Sequence, residues 1–359
     1  MKKSIAIVGA GNAGCITALH YYLYGKDSFD ITIYYNPAVP IEKVGQGVTA
    51  GITHLIGEAL GMNWYNNTIG ATFKTGILYD GWGKKNDKIF HPFLMSDMSM
   101  HFVPSRLSKV VLESGYFNVI EKDVKDPEKE IDSDYIFDCR GKLYNDKDHY
   151  EPLINPLNSV LLCHTKDEPS YKPLYTGTVA TPNGWTFVIP QETGTSYGYL
   201  YNDTITSTQA ARDDFLERFN LPETDGTKIS FENYMAKNVF VGERTILNGN
   251  RAMFLEPLEA TASSCYHYIC KYFWDYIGGR GDKYTINIEI RNKFKEIQNF
   301  VLWHYQFGSK YDTPFWKYAK SLPFKPDYKF KNMFKTNNPE EYYGAWVSSS
   351  FKVWKEGVS

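Results

Sequence analysis

The chain has 359 residues, of which 43% are hydrophobic and 22% are charged, as in an ordinary globular protein with a sizeable core. A formal net charge of −2 predicts no nucleic-acid partner and no anionic membrane partner. Five cysteines without CxxC spacing and no apolar run of about 18 residues predict a reduced, cytoplasmic protein with neither a zinc site nor a membrane span.

The chain begins with the pattern of a β-α-β unit. Residues 4–8 form an apolar strand candidate, residues 15–25 have the apolar spacing of a helix, and residues 30–35 are typical of the next strand. Because the first strand starts at residue 4, we expect no signal peptide.

A glycine motif, GAGNAG, lies between the first strand and the helix. Gly9, Gly11 and Gly14 match GxGxxG: the first allows a tight turn, the second lets backbone amides approach a pyrophosphate, and the third allows close helix–strand packing. An acidic residue is expected at the end of the second strand to hold ribose hydroxyls, but Tyr35 and Asn36 stand there. The motif therefore predicts a dinucleotide site in which the ribose is held differently.

The later elements alternate between strands and helices. Strands are predicted at 134–141 and within 174–202, and helices at 207–219, 262–279 and about 287–307, whereas the tail from residue 318 has no clear period. The pattern predicts an α/β fold and a single interwoven unit over 1–359. Its nucleotide-binding part is predicted at approximately 1–60, 100–145 and 235–280, and its substrate-side part at approximately 61–99, 146–234 and 281–359.

Two ionisable residues lie in motifs of their own. Lys74 stands in ATFKTGI, an apolar setting where desolvation would lower the amine pKa and free a nucleophile. Glu259 stands in EPLEAT, just before a predicted helix. Taken singly, the first is more simply a solvent-facing lysine, and the second a first-turn glutamate favoured by the helix dipole.

Taken in order, the motifs resemble those of the flavin-dependent halogenases of the tryptophan-halogenase type, in particular compact virus-encoded members. The matching segments are GAGNAG, FKTG, WTFVIP, PLEAT and HYQFGSKYDTPFW, which extend from the start of the chain to about residue 316. The resemblance implies an FAD-binding, Rossmann-like flavin monooxygenase/halogenase fold with an added β-rich and helical substrate region.

The resemblance also implies a chemistry. Reduced FAD (FADH2), oxygen and halide would give hypohalous acid, which Lys74 would hold and pass to a small aromatic substrate, an indole or a phenol. Glu259 would position the electrophile and help to remove the ring proton. Bromide or iodide is expected because both are oxidised more easily than chloride, and chloride is left open as a third halide. Since no second GxGxxG follows, a separate flavin reductase is the expected partner; a homo-oligomer is left open.

Site residues follow from the same resemblance. The expected cofactor-binding residues are Gly9, Gly11, Ala13, Gly14, Tyr35, Gln46, Trp185, Ile189, Pro190 and Gly249. Backbone amides of Thr261 and Ala262, at the start of a helix, would bind the halide. The expected substrate-binding residues are Trp82, His304, Tyr305 and Trp316, and no metal site is expected.

The chain departs from the family pattern at several positions. Phe187 replaces a tryptophan, Gln46 a glutamate and Ala260 a serine, and Arg140 replaces the serine of the usual DCSG. Two alternatives therefore stay open: an aromatic hydroxylase of the same fold, which would not need Lys74, and a flavin-binding protein without turnover.

Overall fold

The computed structural model describes residues 2–42, 44–93, 98–142, 148–166, 172–222 and 226–358. Its strands, in chain order, are β1 Lys3–Val8, β2 Phe29–Tyr35, β3 Gln46–Gly47, β4 Thr72–Lys74, β5 Gly76–Asp80, β6 Lys88–Pro92, β7 Ser99–Phe102, β8 Asn118–Glu121, β9 Tyr135–Asp138, β10 Tyr150–Pro152, β11 Ser159–Thr165, β12 Thr176–Thr181, β13 Gly184–Gln191, β14 Gly194–Tyr201, β15 Thr227–Ser230, β16 Tyr234–Ala236, β17 Phe240–Val241, β18 Thr245–Leu247 and β19 Met253–Phe254. The helices are α1 Asn12–Gly25, α2 Ala50–Leu60, α3 Pro104–Glu113, α4 Pro127–Glu130, α5 Thr208–Phe219, α6 Thr261–Ile277, α7 Lys283–Phe307, α8 Pro314–Ser321, α9 Tyr328–Asn332 and α10 Ser348–Val358.

A six-stranded sheet in the order β17-β18-β9-β1-β2-β8 forms the nucleotide-binding side. All of its pairs are parallel except β17–β18. The central strand β1 is a continuous apolar run because a parallel strand covered on both faces has no solvent side. The chain leaves β1 through Gly9 and enters α1 at once, so the helix N-terminus lies at the carboxyl edge of the sheet.

A seven-stranded sheet in the order β15-β11-β14-β13-β12-β5-β6 forms the second layer. It is antiparallel except for the β12–β5 pair. A small sheet, β3-β7-β4, connects the two regions, and in it Lys74 pairs with Ser99 while Gln46 pairs with Phe102. This register places the predicted lysine next to the loop predicted to hold the flavin.

The helical tail covers the seven-stranded sheet. Asp282 caps α7 by accepting from the amide of Thr285, and the buried face of α7 includes the predicted Ile290 and Phe294. Beyond residue 318, where the sequence showed no clear period, α9 and α10 bury Phe330, Phe351 and Trp354. The two helices are only five and eleven residues long, too short to show a strong repeat.

The predicted α/β class is confirmed, and the predicted strands and helices agree with the structure to within a few residues, α7 beginning slightly earlier at Lys283. The division into nucleotide-binding and substrate-side parts stays a prediction; one core cluster includes residues from both, among them Ile7 and Trp185. Within the described ranges, no helix is long and apolar enough to cross a membrane.

The β1–α1 turn generates a stability prediction. A Cβ at position 14 would lie 1.8 Å from the carbonyl oxygen of Gly9, whereas a Cβ at position 11 would meet nothing within 4 Å. Gly14→Ala should therefore lower the free energy of unfolding by roughly 1–3 kcal/mol or more, because the backbone must shift. Gly11→Ala, the matched control, should leave it nearly unchanged. Chemical denaturation of both variants measures this, and equal stabilities would contradict the prediction.

Candidate active site

A groove of about 870 Å³ lies at the carboxyl edge of the six-stranded sheet. Gly9, Gly11, Ala13 and Tyr35 line it, as predicted. The backbone at Gly11 faces open space, and the α1 N-terminus directs unpaired amides toward it, which suits a pyrophosphate. Six basic side chains line the same groove: Lys109, Lys122, Lys125, Arg140, Lys142 and Arg251. The groove thus fits an anionic dinucleotide such as FAD.

A carboxylate lies next to Tyr35, although the acid expected at the end of β2 is missing. Tyr35 donates its hydroxyl to Glu121 Oε1 at 2.7 Å, so a carboxylate stands at the end of the neighbouring strand β8 instead of β2. Arg140, which departs from the family pattern, donates to both oxygens of Asp138 and to the carbonyl of Val124. This arginine ties the end of β9 to the adjacent loop.

Two further cofactor predictions lie at the edges of the groove. Gly249 has a φ of +66°, and a Cβ there would lie 2.5 Å from the Cβ of Ala13, so glycine is needed for this close approach to the α1 turn. Gln46 donates through Nε2 to Glu42 Oε2 at 3.1 Å, and Glu42 lines the groove.

Strand β13, which carries the Trp185–Pro190 motif, packs against the loop of residues 44–48. Gly45 donates its amide to Ser196 Oγ, which in turn donates to Gln191 at the end of β13. Pro190 accepts from the Thr72 hydroxyl at 3.3 Å, and Ile189 is buried. The end of this strand therefore contacts both the region of the predicted flavin loop and the strand that carries Lys74.

Lys74 is buried and contacts the loop of residues 44–48, the predicted flavin loop, directly. Its side chain is the only large charged one among the fully buried residues of the described ranges, with 1% exposure. Its Nζ donates to the Val48 carbonyl at 3.4 Å, and Ser99 Oγ donates to the same oxygen. Burial lowers the pKa of Lys74 to about 8, although the Glu259 charge acts to raise it. The amine is thus partly neutral near physiological pH.

Two histidines near the lysine are held neutral. Burial, reinforced by the Lys74 charge, lowers the pKa of His101 well below its usual value. Burial also lowers the pKa of His91 to about 4, with smaller contributions from His304 and Lys74. Neither imidazole therefore adds a positive charge beside the amine.

Glu259 occupies a strained backbone at the start of α6. Its φ is +70° and that of Ala260 is +55°, two consecutive non-glycine residues in the left-handed region. Such a conformation costs free energy and is maintained where surrounding contacts impose it. The carboxylate is nearly buried, and it accepts from Trp346 Nε1 at 3.0 Å while His304 Nε2 lies 3.2 Å from its other oxygen.

His304 contacts one backbone carbonyl and two side chains. Nδ1 lies 2.8 Å from the Phe300 carbonyl. Nε2 lies 3.2 Å from Glu259 Oε1 and 3.5 Å from the Tyr79 hydroxyl. His304, predicted as a substrate residue, contacts the predicted catalytic carboxylate instead of pointing to an open pocket.

A second buried carboxylate, Glu256, was not singled out from the sequence. It accepts from Trp185 Nε1 at 2.8 Å, Tyr305 Oη at 2.6 Å and Asn155 Nδ2 at 2.8 Å, and burial raises its pKa against these bonds. Trp185 and Tyr305, predicted for flavin and substrate, thus both bind the loop that carries Glu259. The signal was present in the motif, since EPLE contains two glutamates three residues apart.

Trp82 and Trp316 are buried side by side near the loop that carries Glu256 and Glu259. Their indole N–H groups donate to the carbonyls of Thr178 and Thr181 at 3.1 and 2.8 Å, and the two rings lie 5.3 Å apart. Trp82 is also 6.3 Å from the His304 ring. The substrate-binding role of both tryptophans stays a prediction.

The C-terminal segment supplies two rings that the sequence did not point to. Trp346 contacts Glu259, as described, and the Trp354 ring lies 4.2 Å from His304 and 4.5 Å from Tyr79. The high aromatic content of the tail was the only sequence signal for these two rings. No local pattern relates residue 346 to residue 259.

The first turn of α6 is the predicted halide site. Thr261 and Ala262 begin the helix directly after the two left-handed residues, where backbone N–H groups have no intrahelical acceptor. Thr49 and Ser264 hydroxyls, 3.2 Å apart, connect this turn to the segment that follows Val48. The halide role of the two amides stays a prediction.

Comparisons with known proteins place this geometry in context. Tryptophan 7-halogenase RebH of Lentzea aerocolonigenes is 29% identical over 209 residues, which cover 54% of this chain and 39% of that protein. Tryptophan 6-halogenase ThaL of Streptomyces albogriseolus is 26% identical over 253 residues, which cover 63% and 47%. The matches thus span less than half the length of these relatives.

Solved structures agree in fold. The tryptophan 6-halogenase SttH from Streptomyces toxytricini has a TM-score of 0.81 at 20% identity, over 99% of this chain and 90% of that one. BrvH, a flavin-dependent halogenase from Brevundimonas sp. BAL3, has a TM-score of 0.81 at 17% identity, over 99% and 90%. The predicted fold class is confirmed. The family model described as tryptophan halogenase matches residues 4–114 and 102–357, and the chain therefore belongs to the tryptophan halogenase family.

Proposed function

We propose that this chain is a flavin-dependent halogenase that acts on small aromatic substrates, indoles or phenols, through Lys74 and Glu259. The observation that supports this best is a buried amine at the loop of residues 44–48, with the nearly buried Glu259 carboxylate near enough for its charge to act on the amine pKa. Lys74 donates to a carbonyl of that loop, and the Glu259 charge acts on the pKa of the amine. A hydroxylase of the same fold would not need this pair.

The cofactor groove supports the use of FAD. Bound reduced FAD supplies the oxidation of halide by oxygen to hypohalous acid. The glycine turn would hold the pyrophosphate, and Tyr35 with Glu121 would face the ribose. Because the sequence has a single GxGxxG, a separate flavin reductase is the proposed source of FADH2. A cytoplasmic location, supported by five free cysteines, and a likeness to compact virus-encoded members remain part of the proposal.

Lys74 would receive the hypohalous acid. Its lowered pKa leaves part of the amine neutral near pH 7–8, able to accept a hydrogen bond from the acid or to form a haloamine. Gly47 leaves room at this amine, since a Cβ there would lie 3.4 Å from Nζ. The halide itself would bind at the amides of Thr261 and Ala262, with bromide or iodide favoured.

Glu259 would accept the proton released from the aromatic ring, and His304 would hold the carboxylate in place. Electrophilic substitution releases one proton from the aromatic carbon, and the Glu259 carboxylate is the acceptor that we propose. His304 Nε2, 3.2 Å away, would help to keep the carboxylate in place. The left-handed backbone at Glu259 supports a functional constraint at this position, because strain of this kind concentrates at active sites.

Lys74 variants test the activity. With FAD, a flavin reductase, NADH, oxygen, bromide, catalase and an indole and phenol panel, we expect a halogen mass shift that falls roughly 10²-fold or more in Lys74→Ala. Lys74→Arg should also fail, because a guanidinium stays charged and cannot accept the halogen. Lys84→Arg, at an exposed lysine, is the matched control. An oxygen mass shift that persists in Lys74→Ala would indicate the hydroxylase.

The pKa of Lys74 predicts a pH dependence. The amine loses its proton as pH rises through about 8, so the halogenation rate should increase between about pH 6 and pH 8. Single-turnover rates with excess reduced FAD would measure it without contribution from the reductase. A rate that falls across this interval would mean that the ammonium form is the active one.

Burial of Lys74 also predicts a cost in stability. Its pKa is lower in the folded protein than in the unfolded chain, so below about pH 8 the charged amine destabilises the fold. Lys74→Met should raise the free energy of unfolding at pH 7 by about 3 kcal/mol, while abolishing halogenation. The stability gain of Lys74→Met should decrease as pH rises from about 8 to about 10.5, because the lysine of the wild-type protein is then neutral in the folded state. Lys84→Met controls for surface charge, and an unchanged stability of Lys74→Met would contradict the prediction.

A further inference from the structure

The indole of Trp346 already occupies a place beside the proposed catalytic carboxylate. Nε1 donates to Glu259 Oε2 at 3.0 Å, and the ring stacks on Phe300 at 3.8 Å with an interplanar angle of 18°. Trp346 pairs with Tyr343 across a short β-bridge, and the amide of Gly344 donates to Glu296 at 2.8 Å. The ring is therefore fixed against Glu259.

This contact distinguishes Trp346 from the other indoles of the site. Trp82 and Trp316 donate to backbone carbonyls, and Trp185 donates to the second carboxylate, Glu256. Each of those three N–H groups donates to a core acceptor other than Glu259. Trp346 alone, among the indole donors with a described partner, is bonded to the group that we propose to accept the ring proton.

We propose that Trp346 is an internal acceptor, and that the enzyme halogenates this residue when no external aromatic is present. The proposal rests on the proposed function, which supplies hypohalous acid as the oxidant. An indole is an electron-rich ring, and a hydrogen bond from its N–H to a carboxylate increases the electron density of the ring further. Glu259 accepts the Trp346 N–H, and its charge also acts on Lys74, so an aromatic ring of the protein itself already stands at the carboxylate that we propose to act with the lysine.

Halogenation of the Trp346 ring consumes only hypohalous acid and releases water. The halogen–oxygen bond of hypohalous acid breaks, with its electron pair passing to oxygen, and a carbon–halogen bond forms on the ring. The ring C–H bond then breaks, and its proton passes through Glu259 to the hydroxide, which leaves as water. The ring carbon is oxidised and the halogen is reduced from its formal +1 state.

An external aromatic would protect Trp346. Any substrate whose ring proton reaches Glu259 must compete with the resident indole for that carboxylate, because the other oxygen faces His304. Modification of Trp346 should therefore decrease as substrate increases. The C-terminal segment, residues 343–358, thereby becomes the part of the chain that decides which aromatics gain access to Glu259.

Peptide mapping tests the proposal on the whole protein. The wild-type protein is incubated with FAD, flavin reductase, NADH, oxygen, bromide and catalase, without substrate, and a parallel sample receives indole. Trypsin releases Trp346 in residues 336–352 and Trp354 in residues 353–355, so the two rings are read separately. We expect the isotope pair of one bromine on Trp346, with little on Trp354 or on the exposed Trp64. Indole should lower this signal several-fold.

Variants separate the site from general oxidation. Lys74→Ala and Glu259→Gln should abolish the bromine on residues 336–352, and Trp346→Phe should remove it even though Tyr342 and Tyr343 remain in the peptide. Bromine spread over exposed Trp64 and Tyr65, or retained in Lys74→Ala, would indicate free hypobromous acid and overturn the proposal. Bromoindole in the sample with indole, together with an unmodified Trp346 in the sample without it, would overturn this proposal alone. Neither bromoindole nor bromotryptophan would overturn the halogenase assignment as well.

Discussion

A buried carboxylate must be hydrogen-bonded, and this requirement organises the site around Glu256. Its oxygens accept from Trp185 on β13, from Tyr305 on α7 and from Asn155, so one side chain joins three distant parts of the chain. The loop is thereby fixed three residues before Glu259. That anchoring explains how two successive left-handed residues persist at the start of α6 and how Glu259 is held at a defined position.

Lys74 is the buried basic group of the site, and its burial disfavours the charged form of the amine. Its ammonium is buried and, in the described part of the chain, forms no ion pair with a carboxylate; its Nζ donates to the carbonyl of Val48 in the loop of residues 44–48. Desolvation lowers the pKa and makes the amine reactive, at the expense of stability. The same contact connects the dinucleotide groove to the aromatic region, so any movement of the flavin loop changes the position of the amine.

The C-terminal segment of the chain packs against the aromatic region around Glu259 and His304. α10 and the residues before it bring Trp346 to Glu259 and Trp354 to His304, inside a core already rich in tryptophan. In this arrangement the carboxylate is bonded on both sides by protein groups. The proposed internal acceptor rests on that arrangement, because an electrophile delivered beside Glu259 would meet the indole of Trp346.

Local patterns were enough for the parts of this protein that local chemistry defines. Strand, glycine turn and helix at the start of the chain, the apolar strand of Lys74 and the helix start after Glu259 all depend on neighbouring residues, and all were predicted. Their order along the chain also indicated the family. Only the tertiary structure decided which groups complete the site. His304, Tyr305 and Trp346 contact their carboxylates across 45, 49 and 87 residues of sequence. Such pairs have no periodicity or spacing that marks them, because what brings them together is the burial of two charges and the packing of aromatic rings around them.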